Sequence, residues 1–178
     1  MRLFVAIDIP DHVKHKLRAL VDRVKPFAKI SWSPVDNLHV TTKFIGEWPE
    51  DRLDEMKHAL ASVGSPGAIP IAVRGIGWFP NPKNPRVFWV GVEGGEALNT
   101  LAHETEEAVY SIGVPKEPRK FAPHLTLARI RERLPLDPLR QALEQVGPYD
   151  FGSFLASTFY LYLSKGGRYT RLADFELT

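Results

Sequence analysis

Apolar positions alternate with polar ones, or recur at helical spacing, along nearly the whole chain. Leu3 to Ile9 is an apolar run broken only by Asp8, the pattern of a strand buried on both faces. Pro10 then opens a segment in which Val13, Leu17, Leu20, Val21 and Val24 fall on one helical face. Leu38 to Ile45 is rich in β-branched and aromatic residues and stops at Gly46, as a strand does, and a second helix starting near Pro49 turns Leu53, Met56 and Leu60 inward. Ile69 to Val73 and Arg86 to Val92 read as two further strands, joined by a surface segment punctuated by Gly75, Gly77, Pro80, Pro82 and Pro85. Leu98, Leu101, Thr105, Ala108, Val109 and Ile112 give a third helix closed by Gly113. The basic loop Pro115 to Lys120 leads into a strand from His124 to Ile130. Leu139, Leu143 and Val146 mark a short fourth helix, and Phe154 to Leu163 with Tyr169 to Leu177 form a hairpin around Lys165-Gly166-Gly167.

The strand after His124 resembles the strand after His39, and each stands among strand and helix elements of the same kind. This predicts two similar lobes inside one domain spanning residues 1–178, with helices and strands interleaved. Two copies are too few for a solenoid. The length and a 44% hydrophobic content suffice for one sizeable core.

Charge and composition then narrow the function. With 23 Lys+Arg against 21 Asp+Glu the net charge is +2, so the molecule is not a general polyanion trap and a nucleic-acid site has to be local. Cysteine is absent, which excludes disulfides, thiolate metal sites and cysteine nucleophiles. The apolar stretch behind Met1 is too short to span a bilayer and lacks a signal-peptide layout. The expectation is a soluble, cytoplasmic monomer.

Chemistry concentrates in two places. Side chains on a strand alternate faces, so His39 and Thr41 project together, roughly 6.5 to 7 Å apart, and His124 and Thr126 repeat the arrangement. A lone His-x-Thr on a strand is ordinarily structural; two framed alike by apolar residues are the signal. If the lobes face each other, the threonine hydroxyls can hold a phosphate while one imidazole stands on each side of the phosphorus, the arrangement that in-line displacement needs. One imidazole acts as base and the other as acid, and no metal or other cofactor is called for. A zinc site is disfavoured because two histidines cannot supply three protein ligands and no His-Glu-x-x-His or cysteine cluster completes them.

Strict alternation places Lys43 with His39 and Thr41, a candidate phosphate contact. It places Arg129 opposite His124, so that its reach to phosphate needs a bend. Arg86, Arg119 and Lys120 are candidate backbone contacts, and Trp32, Phe44, Trp78 and Tyr169 candidates for stacking on a terminal base, with surface charge and core packing as their ordinary roles. His12, His15, His58 and His103 fall on helices without a threonine partner.

His39-Val40-Thr41-Thr42 and His124-Leu125-Thr126-Leu127 resemble the two H-x-T-x signatures of the two-histidine phosphoesterase superfamily. Lys43-Phe44-Ile45-Gly46, the segment Pro85 to Trp89, Phe121-Ala122-Pro123 and Arg129 resemble its bacterial and archaeal RNA 2′,3′-cyclic phosphodiesterases, historically called 2′-5′ RNA ligases, and the likeness runs over nearly the whole chain. The resemblance implies a bilobal α+β fold of mainly antiparallel sheets with outer helices around a central cleft. It implies hydrolysis of RNA 2′,3′-cyclic phosphate ends to 2′-phosphomonoesters, with His39 as proton donor and His124 as proton acceptor. Weak 2′-5′ ligation follows by reversal. A noncatalytic nucleotide-binding module, and a phosphodiesterase acting on another cyclic nucleotide or on 2′-5′ oligonucleotides, are the competing readings.

Overall fold

The computed structural model describes residues 1–178. Nine strands form two antiparallel sheets, and four helices accompany them. The first sheet contains β1 (Arg2–Asp8), β3 (His39–Glu47), β8 (Thr158–Lys165) and β9 (Arg168–Glu176), in the order β3-β1-β8-β9. The second contains β2 (Ser31–Trp32), β4 (Ile69–Phe79), β5 (Val87–Glu93), β6 (His124–Arg129) and β7 (Asp150–Ala156), in the order β2-β6-β5-β4-β7. The helices are α1 (Asp11–Val24), α2 (Leu53–Ala61), α3 (Gly95–Tyr110) and α4 (Asp137–Glu144). No helix is long and apolar enough to cross a membrane.

The two halves repeat one plan. β1, α1 and β3 are matched by β5, α3 and β6, and in each half the outer strands of the trio pair antiparallel. Each half also lends a strand to the other. β4, which follows α2, pairs with β5, while β8 pairs with β1. One contiguous core of 36 buried residues results, drawing Leu3, Val5 and Ile7 from β1, Val90 from β5 and the whole predicted apolar face of α1. Because an apolar side chain gains most from complete removal from water, the exchange of strands ties the lobes through that shared core.

The predicted helices all form, and Gly113 at φ 108° ends α3 as expected. Gly166 and Gly167 both take positive φ in the β8–β9 hairpin, the requirement of a type I′ turn. Two expectations are corrected. The Gly75 to Gly77 segment is strand, not joint, because β4 continues to Phe79. Gly75, at φ 79°, lies in a register irregularity between Val73 and Ile76, and Gly77 lies under the Trp89 ring, where a Cβ would stand 2.0 Å from Cζ2. The run Phe154 to Leu163 is two strands, not one. The chain leaves the second sheet at Ala156 and enters the first at Thr158, a change of sheet without glycine or proline to announce it.

Gly77→Ala forces the Trp89 ring to move, so it should lower the unfolding free energy in urea by about 1–3 kcal/mol, the usual range for an overpacked site. An unchanged midpoint and slope would show that the ring has room to spare.

Candidate active site

The register of the first sheet determines what surrounds His39. Residues opposite one another in an antiparallel pair project to the same side. Asp8 pairs with His39, Ala6 with Thr41 and Phe4 with Phe44; across the sheet Tyr162 pairs with Phe4 and Arg171 with Tyr162. One face therefore carries Asp8, His39, Thr41, Phe44, Tyr162 and Arg171. Its floor is a small apolar group of Phe4, Ala6 and Tyr162, with the Phe4 and Tyr162 rings stacked at 5.2 Å.

On the second sheet Gly91 pairs with His124, Trp89 with Thr126 and Val87 with Arg129. The His124 and Phe79 rings stand perpendicular with centroids 5.1 Å apart, and Phe79 leans on Trp89 at 5.2 Å. The two motif strands belong to different sheets, yet β3 and β6 approach with Cα atoms within 8 Å. The strands that carry the two motifs thus run close to one another.

Each imidazole is held in the same way. His39 Nδ1 lies 2.9 Å from the Asn37 carbonyl, and His124 Nδ1 lies 2.7 Å from the Ala122 carbonyl. A carbonyl oxygen only accepts, so Nδ1–H is the donor in both rings, and in the neutral imidazole Nε2 carries the lone pair. The local sequence provides these acceptors. A single 3-10 turn over Val35–Asn37 places the Asn37 carbonyl ahead of β3, and Pro123 restricts Ala122 to extended backbone ahead of β6.

The environments then diverge. The His39 side chain is 9% exposed, its Nε2 is 3.6 Å from Asp8 Oδ1, and the Tyr162 and Tyr169 rings lie 4.6 and 5.7 Å away. Burial holds the His39 imidazolium below the usual histidine range, while the Asn37 hydrogen bond and then the Asp8 charge act in the opposite direction. Asp8 is itself held by the Tyr162 hydroxyl and the Arg171 guanidinium. Burial, with the Asp8 carboxylate behind it, pushes the Tyr162 phenol up to about 12, so Tyr162 is a donor throughout the neutral range.

Strict alternation fails at the same step in both motifs. Val5 pairs with Lys43 and Ala6 with Thr41, so Thr42 is an extra residue; Phe88 pairs with Ala128 and Trp89 with Thr126, so Leu127 is another. Thr42 donates its hydroxyl to the Val5 carbonyl at 3.2 Å, satisfying an acceptor at the bulge. After the extra residue the faces invert. Lys43 is not beside His39: it is 6% exposed, with Nζ 3.2 Å from Glu106 Oε2 and 3.0 Å from the Pro115 carbonyl. The expectation of a phosphate contact at Lys43 is therefore corrected. Conversely, Arg129 returns to the His124 and Thr126 side and is exposed, and Phe44, 72% exposed, takes the matching place beyond Thr41.

Of the four aromatic candidates, Phe44 and Tyr169 are exposed near His39. Trp32 and Trp78 pack on the buried Phe88 instead, with ring centroids 6.2 and 4.6 Å from it. Arg86, Arg119 and Lys120 lie exposed outside the strands. The remaining histidines lie on α1, α2 and α3, and His12 Nε2 is occupied by the Ser153 carbonyl at 2.9 Å. Asp8, Tyr162 and Arg171 escaped the sequence reading. The available signal was Asp8 alone, a carboxylate ending an otherwise apolar strand.

Two pseudo-symmetric lobes, each carrying a strand histidine and threonine in the same register, define a two-histidine phosphoesterase fold. The chain belongs to the family described as LigT like Phosphoesterase, whose pattern matches twice, over residues 7–89 and 90–166, one match for each motif. The RNA 2′,3′-cyclic phosphodiesterase of Methanocaldococcus jannaschii is 34% identical over 164 residues, covering 92% of this chain and 91% of that protein. That of Archaeoglobus fulgidus is 31% identical over 180 residues, covering 99% and 100%. Among solved structures, TT0787 of Thermus thermophilus superposes with a TM-score of 0.80 at 30% identity, covering 99% of this chain and 98% of that one. E. coli LigT complexed with NADP+ superposes with a TM-score of 0.76 at 25% identity, covering 99% and 97%.

Because the Lys43 ammonium is bound to Glu106 and a carbonyl, its contribution is to stability. Lys43→Met should lower the unfolding free energy by about 1–3 kcal/mol, the usual cost of breaking a partly buried hydrogen-bonded ion pair, with kcat/KM of the folded protein far less affected than by loss of either motif histidine. A Lys43→Met protein of normal stability with turnover abolished would return Lys43 to the phosphate site.

Proposed function

We propose that this protein hydrolyses RNA 2′,3′-cyclic phosphate ends to 2′-phosphomonoesters, with His124 as general base and His39 as general acid. The observation that carries the reading is the pair of imidazoles, each fixed through Nδ1 to a carbonyl and each left with Nε2 for chemistry, on two strands that approach one another. Relatives bearing the name RNA 2′,3′-cyclic phosphodiesterase, at 34% and 31% identity over most of the chain, support the substrate.

His124 Nε2 takes a proton from water as the water oxygen attacks phosphorus. The bond between phosphorus and the ribose 3′ oxygen breaks, His39 delivers its Nε2 proton to that departing oxygen, and the phosphate stays on the 2′ oxygen. Thr41 and Thr126, beside the two histidines, donate to nonbridging oxygens, and Arg129 offsets their charge. The chain assembles no group of three His, Cys, Asp or Glu side chains of the kind that holds a metal ion, which favours a metal-independent route. Run in reverse, with a 5′-hydroxyl in place of water, the same groups form a 2′-5′ linkage. Phe44, exposed beyond Thr41, supplies a surface on which a terminal base stacks. Solved complexes of E. coli LigT with phosphate and with NADP+ support a small phosphate-bearing nucleotide as an alternative ligand. A soluble cytoplasmic monomer acting on free RNA ends is consistent with the near-neutral charge.

The direct test is incubation with RNA carrying a 2′,3′-cyclic phosphate in the presence of EDTA. A 2′-phosphate product at undiminished rate is expected; a 3′-phosphate product, or activity that requires a divalent ion, overturns the scheme. A 2′,3′-cyclic mononucleotide turned over more efficiently than the oligonucleotide would make the small nucleotide the substrate.

General acid and base contributions are about 10²- to 10⁴-fold each, so His39→Ala and His124→Ala should each lower kcat by that order. The double variant should lose less than the product of the two, because the groups act as a unit. His58→Ala and His103→Ala, on helices, are the controls, and equal losses there would remove the two-histidine mechanism. Phe44→Ala should chiefly raise KM, since stacking is worth about 1–3 kcal/mol per base.

The pH profile supplies a further check. Burial lowers the His39 pKa in the free enzyme, and an anionic phosphate beside the ring favours its charged form. The limb set by the donor, on the alkaline side, should therefore lie at lower pH in kcat/KM than in kcat.

A further inference from the structure

The repeated registers reveal one difference between the two halves. The residue opposite His39 is Asp8; the residue opposite His124, at the matching place on β5, is Gly91. Asp8 Oδ1 lies 3.6 Å from His39 Nε2, the nitrogen left for chemistry. Its carboxylate accepts from the Tyr162 hydroxyl and the Arg171 guanidinium, and Arg171 Nε also donates to the Tyr162 oxygen at 3.2 Å. These contacts hold the Asp8 carboxylate in place. Around His124 the corresponding neighbours are Gly91 and the perpendicular Phe79 ring, neither of them charged.

We propose that Asp8 is a positioning residue that supports the donor role of His39: its carboxylate favours the His39 imidazolium before the reaction, while Gly91 places no charge beside His124, the acceptor. The reading rests on the acid and base assignment given above. The charged and titratable groups facing His39 are Asp8 from β1, Lys14 from α1, Tyr162 from β8, and Tyr169 and Arg171 from β9. Lys14 and Arg171 disfavour a second positive charge, and so does burial. Asp8 is the anion that opposes them. Arg171 accordingly has two effects of opposite sign, anchoring Asp8 and repelling the imidazolium.

That opposition gives a test which a packing role does not mimic. The His39 ring is titrated by NMR in the free protein, its resonance assigned by its loss in His39→Ala, for wild type, Asp8→Asn and Arg171→Gln. Asp8→Asn should move the His39 midpoint down by about one pH unit, the size expected for loss of one close opposite charge. Arg171→Gln, at a side chain 58% exposed, should move it up, and this arm stands even if Asp8→Asn fails to fold. In turnover, the alkaline limb of kcat/KM should follow each midpoint, and Asp8→Glu should recover part of the wild-type profile. A His39 midpoint that Asp8→Asn leaves unmoved or raises or, where that variant does not fold, one that Arg171→Gln leaves unmoved, overturns the proposal through Asp8 itself. Midpoints that shift as stated while the alkaline limb stays fixed overturn it through the donor assignment.

Discussion

A carbonyl oxygen accepts and never donates, and the state of both histidines depends on that constraint. Once Asn37 and Ala122 present their carbonyls to the two Nδ1 atoms, each neutral ring must carry its proton there and leave its lone pair on Nε2. The fold supplies what this needs: a 3-10 turn ahead of β3, a proline-restricted residue ahead of β6, and two strands stiffened by neighbours within their sheets. The Asn37 side chain also donates to the Gly167 carbonyl at 3.2 Å, so the turn that holds His39 is tied to the β8–β9 hairpin on the far side of the sheet.

The extra residue after each motif threonine is the second shared device. Insertion of Thr42 and of Leu127 reverses the faces of the residues next after them, burying Lys43 and Ala128 and exposing Phe44 and Arg129. The same irregularity thus gives one lobe an aromatic surface and the other a cation. Repetition of the backbone with divergence of the side chains suits a symmetric frame to the asymmetric reaction proposed above, in which one proton is taken and another given. The contrast between Asp8 and Gly91 is the same principle at the histidines themselves.

Stability and chemistry use different faces of β1. Leu3, Val5 and Ile7 enter the main core, whereas Phe4 and Ala6 form the small cluster beneath His39 and Asp8 carries the charge beside it. A strand buried on both sides can hold an ionised carboxylate at its end because Tyr162 and Arg171 satisfy it; without them the charge would be costly there.

The amino-acid sequence by itself determined the helices, most strands, the repeat and the histidine and threonine pair in each half. All of these depend on periodicity or on neighbours a few residues apart, which a linear pattern records. It also makes the second sheet's β4 look interrupted, since glycine is read as a turn unless the covering ring of Trp89 is known. Only the tertiary structure decided which sheet each strand joins, and hence that Phe154 to Leu163 divides between two sheets. It alone decided where the extra residues fall, because a bulge is a property of two paired strands and not of either one. For the same reason strict alternation misplaces Lys43, and the approach of Arg129 to His124 requires a bend that no local residue announces. Asp8 stands far in sequence from Tyr162 and Arg171, which face each other across the terminal hairpin, and only antiparallel pairing, which sets neighbours by register, brings all three to His39.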